Sequence, residues 1–218
     1  MIPTSHKERL RRELESAIEG QVRVVLFTQE VECASCQEAR NLAEEVASLS
    51  NKIKLEIYDF VKDMEKAKGL GIDKVPAMAV LGKKEYGIRF YGIPFGYELK
   101  PFLEALVMAS SGSTKLSEES RRKLKALGQP VHIQVFVTPT CPYCPAATGL
   151  AHQCAIENTL VRSDMVEITE FPHLAQKYAV MGVPKVVIND RTEFVGALPE
   201  EHFIDQVLMA NRPLQATR

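Results

Sequence analysis

Thr138-Pro139-Thr140-Cys141-Pro142-Tyr143-Cys144-Pro145 places two cysteines three apart, directly after the apolar run Val131, Ile133, Val135, Phe136, Val137. A helix-like segment follows. A thiol at such a strand-to-helix junction has its sulfur near a helix N-terminus, where partial positive charge and free N–H groups stabilise a thiolate. The second cysteine, one turn further on, is within reach of the first for a disulfide. The stretch therefore points to a dithiol–disulfide switch mounted on an α/β fold.

Upstream, the same order occurs once before. Val22 to Phe27 is a short run rich in β-branched residues, a loop covers Thr28 to Glu32, and Cys33-Ala34-Ser35-Cys36 opens a helical pattern reaching about Leu49. Cys33 and Cys141 are 108 residues apart, and so are Val75-Pro76 and Val183-Pro184. In both halves the proline stands 43 residues after the first cysteine. A repeat of this length means two copies of a domain, not a solenoid. The 218 residues are enough for both. The small, polar stretch 110–116 is the linker candidate, which places the units at residues 1–112 and 113–218.

Each half reads β-α-β-α-β-β-α behind an extra amphipathic helix, at 4–19 and 117–127. The second strands are expected at 53–58 and 161–168, and short helices at 62–70 and 172–179. Two strands around a tight turn follow each Val-Pro, at 77–81 and 87–91 and at 185–188 and 193–195. Closing helices cover 96–109 and 200–210. A helical crossover makes the first two strands of each half parallel, and a tight turn makes the last two antiparallel. The expected fold class is α/β, with two tandem units, each a mixed four-stranded sheet flanked by helices.

A net charge of −1, from 27 basic and 28 acidic residues, leaves no electrostatic footprint for nucleic acid or an anionic membrane. No apolar run approaches a membrane span. Met1 to Leu14 is rich in Lys, Arg and Glu and lacks the apolar core of a secretory signal, so the expected location is cytoplasmic.

The four paired cysteines have three readings: two redox dithiols, a zinc site made within one chain or by all four thiolates together, or buried cysteines without chemistry. Position at a strand–helix junction favours redox, and so does the proline 43 residues later. A proline opening a strand after Val can hold a cis peptide. Cys154, ten residues after Cys144 on one helix, is about 15 Å away along the axis, too far for a disulfide. It reads as a buried small apolar residue. His132, His152, His173 and His202 lack metal-ligand spacing and read as solvated or capping. Arg9, Arg11 and Arg12 read as a solvated helix face. Asp59 and Glu167 close the second strands and are the nearest proton-relay candidates, against the plainer reading of solvated strand ends.

Cys141-Pro142-Tyr143-Cys144 resembles the active-site sequence of glutaredoxins, and Val75-Pro76 and Val183-Pro184 resemble the cis-proline position of the thioredoxin superfamily. The tandem arrangement with both pairs intact is similar to the protein disulfide oxidoreductases of thermophilic archaea and bacteria, which hold two thioredoxin folds in one cytosolic chain. Outside the cysteines the resemblance extends over Phe136-Val137-Thr138-Pro139-Thr140, Val180-Met181-Gly182-Val183-Pro184-Lys185 and Arg89-Phe90-Tyr91-Gly92-Ile93-Pro94. It implies thiol–disulfide exchange on protein disulfide or dithiol substrates. Cys33 and Cys141 would attack, Cys36 and Cys144 would resolve, and Val75, Pro76, Val183, Pro184 and Tyr143 would line the substrate groove. A thioredoxin reductase-like flavoprotein would supply electrons, and the exchange itself needs no metal or organic cofactor. The chain departs from relatives in having no Trp, in carrying Val135 where thioredoxin buries an acid, and in Gly196-Ala197 where glutaredoxins carry Gly-Gly. A carrier of electrons to one dedicated peroxide-reducing enzyme, and a zinc-binding structural protein, are the rival readings.

The two sites are expected to differ. Glu30, Glu32 and Glu38 surround Cys33, whereas Cys141 has no carboxylate close in sequence. Carboxylates disfavour a neighbouring thiolate. Cys141 is therefore expected to be the more acidic thiol, and its site the more oxidising and more active one.

Overall fold

Alternating side chains along β1 (Val22–Thr28) go into two different apolar layers. Val22, Val24 and Leu26 belong to one, Val25 and Phe27 to the other, and all are at most 2% exposed. That is the pattern of a strand covered on both faces. The computed structural model describes residues 2–211.

In chain order α1 (Thr4–Ala17) precedes β1, followed by α2 (Cys36–Ala47), β2 (Ile53–Asp59), α3 (Met64–Gly69), β3 (Ala77–Leu81) and β4 (Glu85–Tyr91). A 3-10 turn at Gly96–Glu98 leads into α4 (Leu99–Ser111). The second half runs α5 (Glu118–Lys125), β5 (Val131–Val137), α6 (Cys144–Glu157), β6 (Val161–Glu167), α7 (Pro172–Lys177), β7 (Lys185–Ile188), β8 (Thr192–Val195) and α8 (Glu200–Asn211). Gly112, in the left-handed conformation at φ 70°, ends α4, and the Ser117 hydroxyl accepts from Ser120 N to start α5.

Pairing within each half is as the connections dictate. β1 and β2 are parallel, as are β5 and β6; β3 runs antiparallel to β1 and β4, and β7 to β5 and β8. What the connections do not announce is the join. β4 pairs in parallel with β6, Ile88 opposite Ser163 and Tyr91 opposite Val166. The two four-stranded units thereby make one eight-stranded sheet, ordered β2-β1-β3-β4-β6-β5-β7-β8.

Burial follows from that order. β4 and β8 hold the same place in the repeat, yet β4 is almost wholly buried while β8 alternates between half-buried and exposed. β6 is buried where β2 is mostly half-exposed. β2 and β8 are the sheet's edges; β4 and β6 seal each other's edge groups. Across the join Arg162 donates to the Tyr91 hydroxyl at 2.9 Å and pairs with Asp164 at 2.7 Å, and His132 meets Asp164 from the other side at 2.6 Å. Burial alone would push Asp164 up, but His132 and Arg162 outweigh it and hold the carboxyl down to about 2.

The larger apolar layer takes the inward faces of α2, α4, α6 and α8 together with α1 and α5; α3 and α7 cover the opposite face. α6 is enclosed on several sides, which overturns the reading of His152 as solvated or capping. His152 is fully buried, Nδ1 lies 2.8 Å from Ser163 Oγ, and burial pushes the imidazole down to about 3. Cys154 on the same helix is buried with its thiol pushed up, as its reading as an apolar residue expects.

Candidate redox site: two dithiols at one end of the sheet

β1 and β5 point the same way through the chain of pairings, so both Cys pairs lie at the same end of one sheet. Four strand steps separate β1 from β5. At about 4.8 Å a step the dithiols are roughly 19 Å apart. Each pair is therefore its own centre, and the four sulfurs do not gather into one tetrahedral zinc site, which needs every sulfur about 2.3 Å from the metal.

Both pairs are closed as disulfides, with Cα separations of 5.4 Å for Cys33–Cys36 and 5.5 Å for Cys141–Cys144. In each, the first cysteine is the more exposed. Cys141 is 7% exposed and Cys144 0%; Cys33 is half-buried and Cys36 is 5% exposed. Both Val-Pro bonds, Val75–Pro76 and Val183–Pro184, are cis. Val183 O lies 3.6 Å from Cys141 Sγ, so this proline loop does sit against the second dithiol. β3 begins opposite Phe27 at Ala77, which brings Val75-Pro76 to the dithiol end of β1.

Around the second dithiol, Tyr143 caps α6 and Pro145 occupies its first turn, where a missing N–H costs nothing. The Cys144 amide donates to Cys141 Sγ at 3.1 Å. The helix N-terminus thus acts directly on the first sulfur, and no acidic residue stands in the first turn of α6. Three apolar side chains surround this end: Tyr143 (69% exposed), Met181 (95%) and Val195 (60%). Gly196 N donates to Pro184 O at 2.8 Å, which fixes Val195 beside the proline loop. Sequence reading singles out only Tyr143 of the three for the groove; Met181 comes with the loop that leads into Val183-Pro184, and Val195 joins that loop through the β7–β8 hairpin.

Around the first dithiol the chemistry is more acidic. A polar cavity beside Cys33 and Cys36 is lined by Gln29, Glu30, Arg40, Asp59 and Lys62. Glu38 stands in the first turn of α2. The Gln29 amide donates at 3.4 Å to Cys36, the second sulfur. Asp59 is in this cavity, its Oδ1 accepting from Val61 N at 3.0 Å and Lys62 N at 2.8 Å. Glu167 is no solvated strand end: it is 2% exposed and accepts from Thr169 N at 3.1 Å and Glu170 N at 3.0 Å, which anchors the turn after β6.

One acid that sequence reading misses is Glu98. It is 1% exposed at the start of α4, and its Oε2 accepts from Thr148 Oγ1 at 2.8 Å. Thr148 is one turn beyond Cys144 on α6, on the same helix face. Burial pushes the Glu98 carboxyl up to about 7, against the pull of the Thr148 hydrogen bond. Its Oε1 has no partner among the described residues. Nothing in Gly96-Tyr97-Glu98-Leu99 distinguishes this acid from an ordinary exposed helix-start glutamate; only the packing of α4 on α6 does.

Known proteins are similar in sequence and fold. The family model described as a thioredoxin domain matches residues 131–209. A thioredoxin of Methanocaldococcus jannaschii is 36% identical over 78 residues, 35% of this chain and 92% of that protein. Among solved structures, a protein disulfide oxidoreductase from Aeropyrum pernix K1 superposes with a TM-score of 0.89 at 32% identity, covering 95% of this chain and 93% of that one. The NTD_N/C domain of the alkylhydroperoxide reductase AhpF from Enterococcus faecalis superposes with a TM-score of 0.88 at 26% identity, over 95% of this chain and all of that one. The chain spans only 21–35% of the length of the curated NADH dehydrogenases and AhpF-type alkyl hydroperoxide reductases that it matches. With two Cys-x-x-Cys pairs at strand–helix junctions, a cis-proline for each and these likenesses, the chain belongs to the thioredoxin family, as a tandem thioredoxin-fold protein of the protein disulfide oxidoreductase type.

Proposed function

We propose that this chain exchanges disulfides with protein substrates at both Cys pairs, and that the Cys141–Cys144 pair dominates. The observation that carries the ranking is the Cys144 amide on Cys141 Sγ, which stabilises that thiolate as leaving group and nucleophile. In the reducing direction the Cys141 thiolate attacks a substrate disulfide, forms a mixed disulfide and releases one substrate thiolate. Cys144 then loses its proton and displaces the mixed disulfide, closing Cys141–Cys144 and releasing the second substrate thiolate. Two electrons pass to the substrate. The reverse sequence oxidises a substrate dithiol.

Glu98 is the group proposed to take the Cys144 proton, being buried, close to half-ionised at neutral pH and hydrogen-bonded to Thr148, which is one turn beyond Cys144. Asp59 is its proposed counterpart in the cavity beside Cys33–Cys36. Val75, Pro76, Val183, Pro184 and Tyr143 are proposed to line the substrate grooves, and Met181 and Val195 to extend the second one with apolar surface for an extended peptide. Residues 1–112 and 113–218 are proposed as the two units. Matches to segments of proteins named NADH dehydrogenase and of AhpF-type alkyl hydroperoxide reductases support a reductase as partner, here a thioredoxin reductase-like flavoprotein.

Insulin reduction with dithiothreitol as reductant tests the reading. The wild-type chain is expected to accelerate insulin precipitation, and a variant with all four paired cysteines changed to Ser is expected to fall to the dithiothreitol-only rate. A wild-type rate equal to that background would sink the proposal.

Glu98→Gln separates the proton role from a structural one. The unfolded chain releases this proton near 4.5, whereas the folded chain holds it to about 7. Between those values the folded state binds more protons, so stability falls as pH rises through the window and stays lower above it. The glutamine variant lacks that fall, so above pH 7 it should be more stable than wild type by up to roughly 3 kcal/mol. Its insulin rate at neutral pH should nonetheless drop by ~10-fold or more, an order of magnitude short of the roughly 10²-fold at which general-base contributions start. Denaturant midpoints at pH 5 and pH 8, set beside the rates, check both halves.

A further inference from the structure

The loop after β6 carries Glu170 out of the second unit and onto the first dithiol. Its Oε2 accepts a hydrogen bond from Ser35 Oγ, and Ser35 is the residue between Ala34 and Cys36. Its Oε1 accepts from Ile93 N at 2.7 Å, in the loop that leaves β4. Glu170 N is itself held by Glu167. Gly92 provides the room. At φ +86°, a Cβ there would lie 2.7 Å from Glu170 Oε1 and 2.8 Å from Glu167 Cβ.

This contact is a product of the β4–β6 pairing. Going outward from the first dithiol the strands are β1, β3, β4 and then β6, whose end delivers Glu170. Going outward from the second dithiol they are β5, β7 and β8, where the sheet ends. Among the described residues no strand follows to deliver a matching acid. In the other direction Glu98 of the first unit reaches Thr148 beneath Cys144. Each unit therefore lends one carboxyl group to its neighbour's dithiol, and the two are differently placed. Glu98 is sealed in the apolar layer, whereas Glu170 is half-buried beside the Cys33–Cys36 motif.

We propose that Glu170 is a positioning residue that sets the redox balance of Cys33–Cys36 from the neighbouring unit, by holding Ser35 and keeping negative charge beside the pair. The inference rests on the reading of Cys33–Cys36 as an exchanging dithiol. Charged groups reach it from several elements. Glu38 on α2 and Glu167 at the end of β6 act on Glu170, and Glu30, Arg40, Asp59 and Lys62 share the dithiol's cavity. Burial pushes the Glu170 carboxyl up, with Ser35 and Ile93 opposing. Once charged, it disfavours the Cys33 thiolate and so favours the closed disulfide.

The test uses the full chain with Cys141→Ser and Cys144→Ser, which leaves the first dithiol as the only exchanging pair. Glu170→Gln keeps the size and the Ile93 bond, lets its amide donate to Ser35 Oγ in place of accepting from it, and removes the charge; Ser35→Ala removes the hydroxyl and keeps the charge. Read-outs are the Cys33 thiol pKa, from iodoacetamide alkylation against pH, and the balance of dithiol and disulfide in a glutathione buffer. Glu170→Gln is expected to lower the Cys33 pKa by about half a unit to one unit, and, in a buffer more alkaline than that pKa, to shift the balance toward the dithiol by roughly three- to tenfold. Ser35→Ala is expected to shift both less. In a chain with Cys33→Ser and Cys36→Ser instead, Glu170→Gln should leave Cys141 alkylation unchanged. An unchanged Cys33 pKa, or an equal shift at Cys141, overturns the proposal. A parent whose first dithiol never exchanges with glutathione overturns the underlying reading, and this one with it.

Discussion

Cys141→Ser is expected to leave about a tenth or less of the insulin-reducing rate, while Cys33→Ser leaves more than half. Access alone argues the other way, since Cys33 is half-buried and Cys141 only 7% exposed. The case for Cys141 is electrostatic. Its sulfur receives the Cys144 amide at 3.1 Å, and α6 has no acid in its first turn. At the first dithiol Glu38 stands in the first turn of α2, Glu30 and Asp59 line the cavity, and Glu170 holds Ser35. The magnitude of the gain is limited. A lowered thiol pKa raises the thiolate fraction at pH 7 but costs roughly threefold in nucleophilicity per pKa unit, so the net gain in attack is on the order of a few-fold. Glu98 adds ~10-fold or more at the resolving step. Attack and resolution are successive steps, so the two gains do not multiply; the ~10-fold at the resolving step is what outweighs the difference in access. Rates of the two single variants measured together decide it; a greater loss for Cys33→Ser would reverse the ranking.

Gly82→Ala is expected to cost about 3 kcal/mol, the upper end of ordinary overpacking. A Cβ built on Gly82 would lie 1.7 Å from Ala109 O and 2.3 Å from Ala109 C. These are backbone atoms of α4, with Ala109 itself fully buried, so no side chain can swing aside. The β3–β4 turn is tied to the end of α4 at this point: Lys83 N donates to Ala109 O at 3.3 Å and Lys83 Nζ to Ser111 O at 2.7 Å. The residue is needed for close approach, not for an unusual backbone dihedral. For a chain of this length the loss corresponds to a fall in Tm of roughly 6–12 °C. Gly149→Ala on α6 is the contrast. A Cβ there meets nothing within 4 Å, and removing a mid-helix glycine should raise stability by about 0.5–1 kcal/mol. Thermal unfolding of both variants checks the pair. A Gly82→Ala chain as stable as wild type would mean that α4 shifts freely against the turn.

The features legible along the chain are the ones that depend on spacing. Cys33 and Cys141, and the prolines at 76 and 184, are displaced by the same number of residues, and displacement survives without any structure. Strand order within a half follows from connection length, which is also local. The positions of His152 and Glu167 differ from the sequence expectation because burial of a polar side chain depends on what packs over it. His152 is on a helix enclosed by sheet and α4, and Glu167 is committed to the turn behind β6. Glu98 escapes sequence reading for the same reason.

By itself the sequence determined two dithiols at strand–helix junctions, the cis-proline partner of each, and the parallel and antiparallel connections of each unit. These depend on residue type, spacing and loop length, all written along the chain. Only the tertiary structure decided that β4 joins β6, that both dithiols face one end of a single sheet, and that Glu98 and Glu170 cross from one unit to the other's site. Strand edges pair through backbone N–H and C=O groups that every non-proline residue carries. The join therefore leaves no signature in residue type, and the carboxyl groups it brings to the dithiols cannot be placed until it is made.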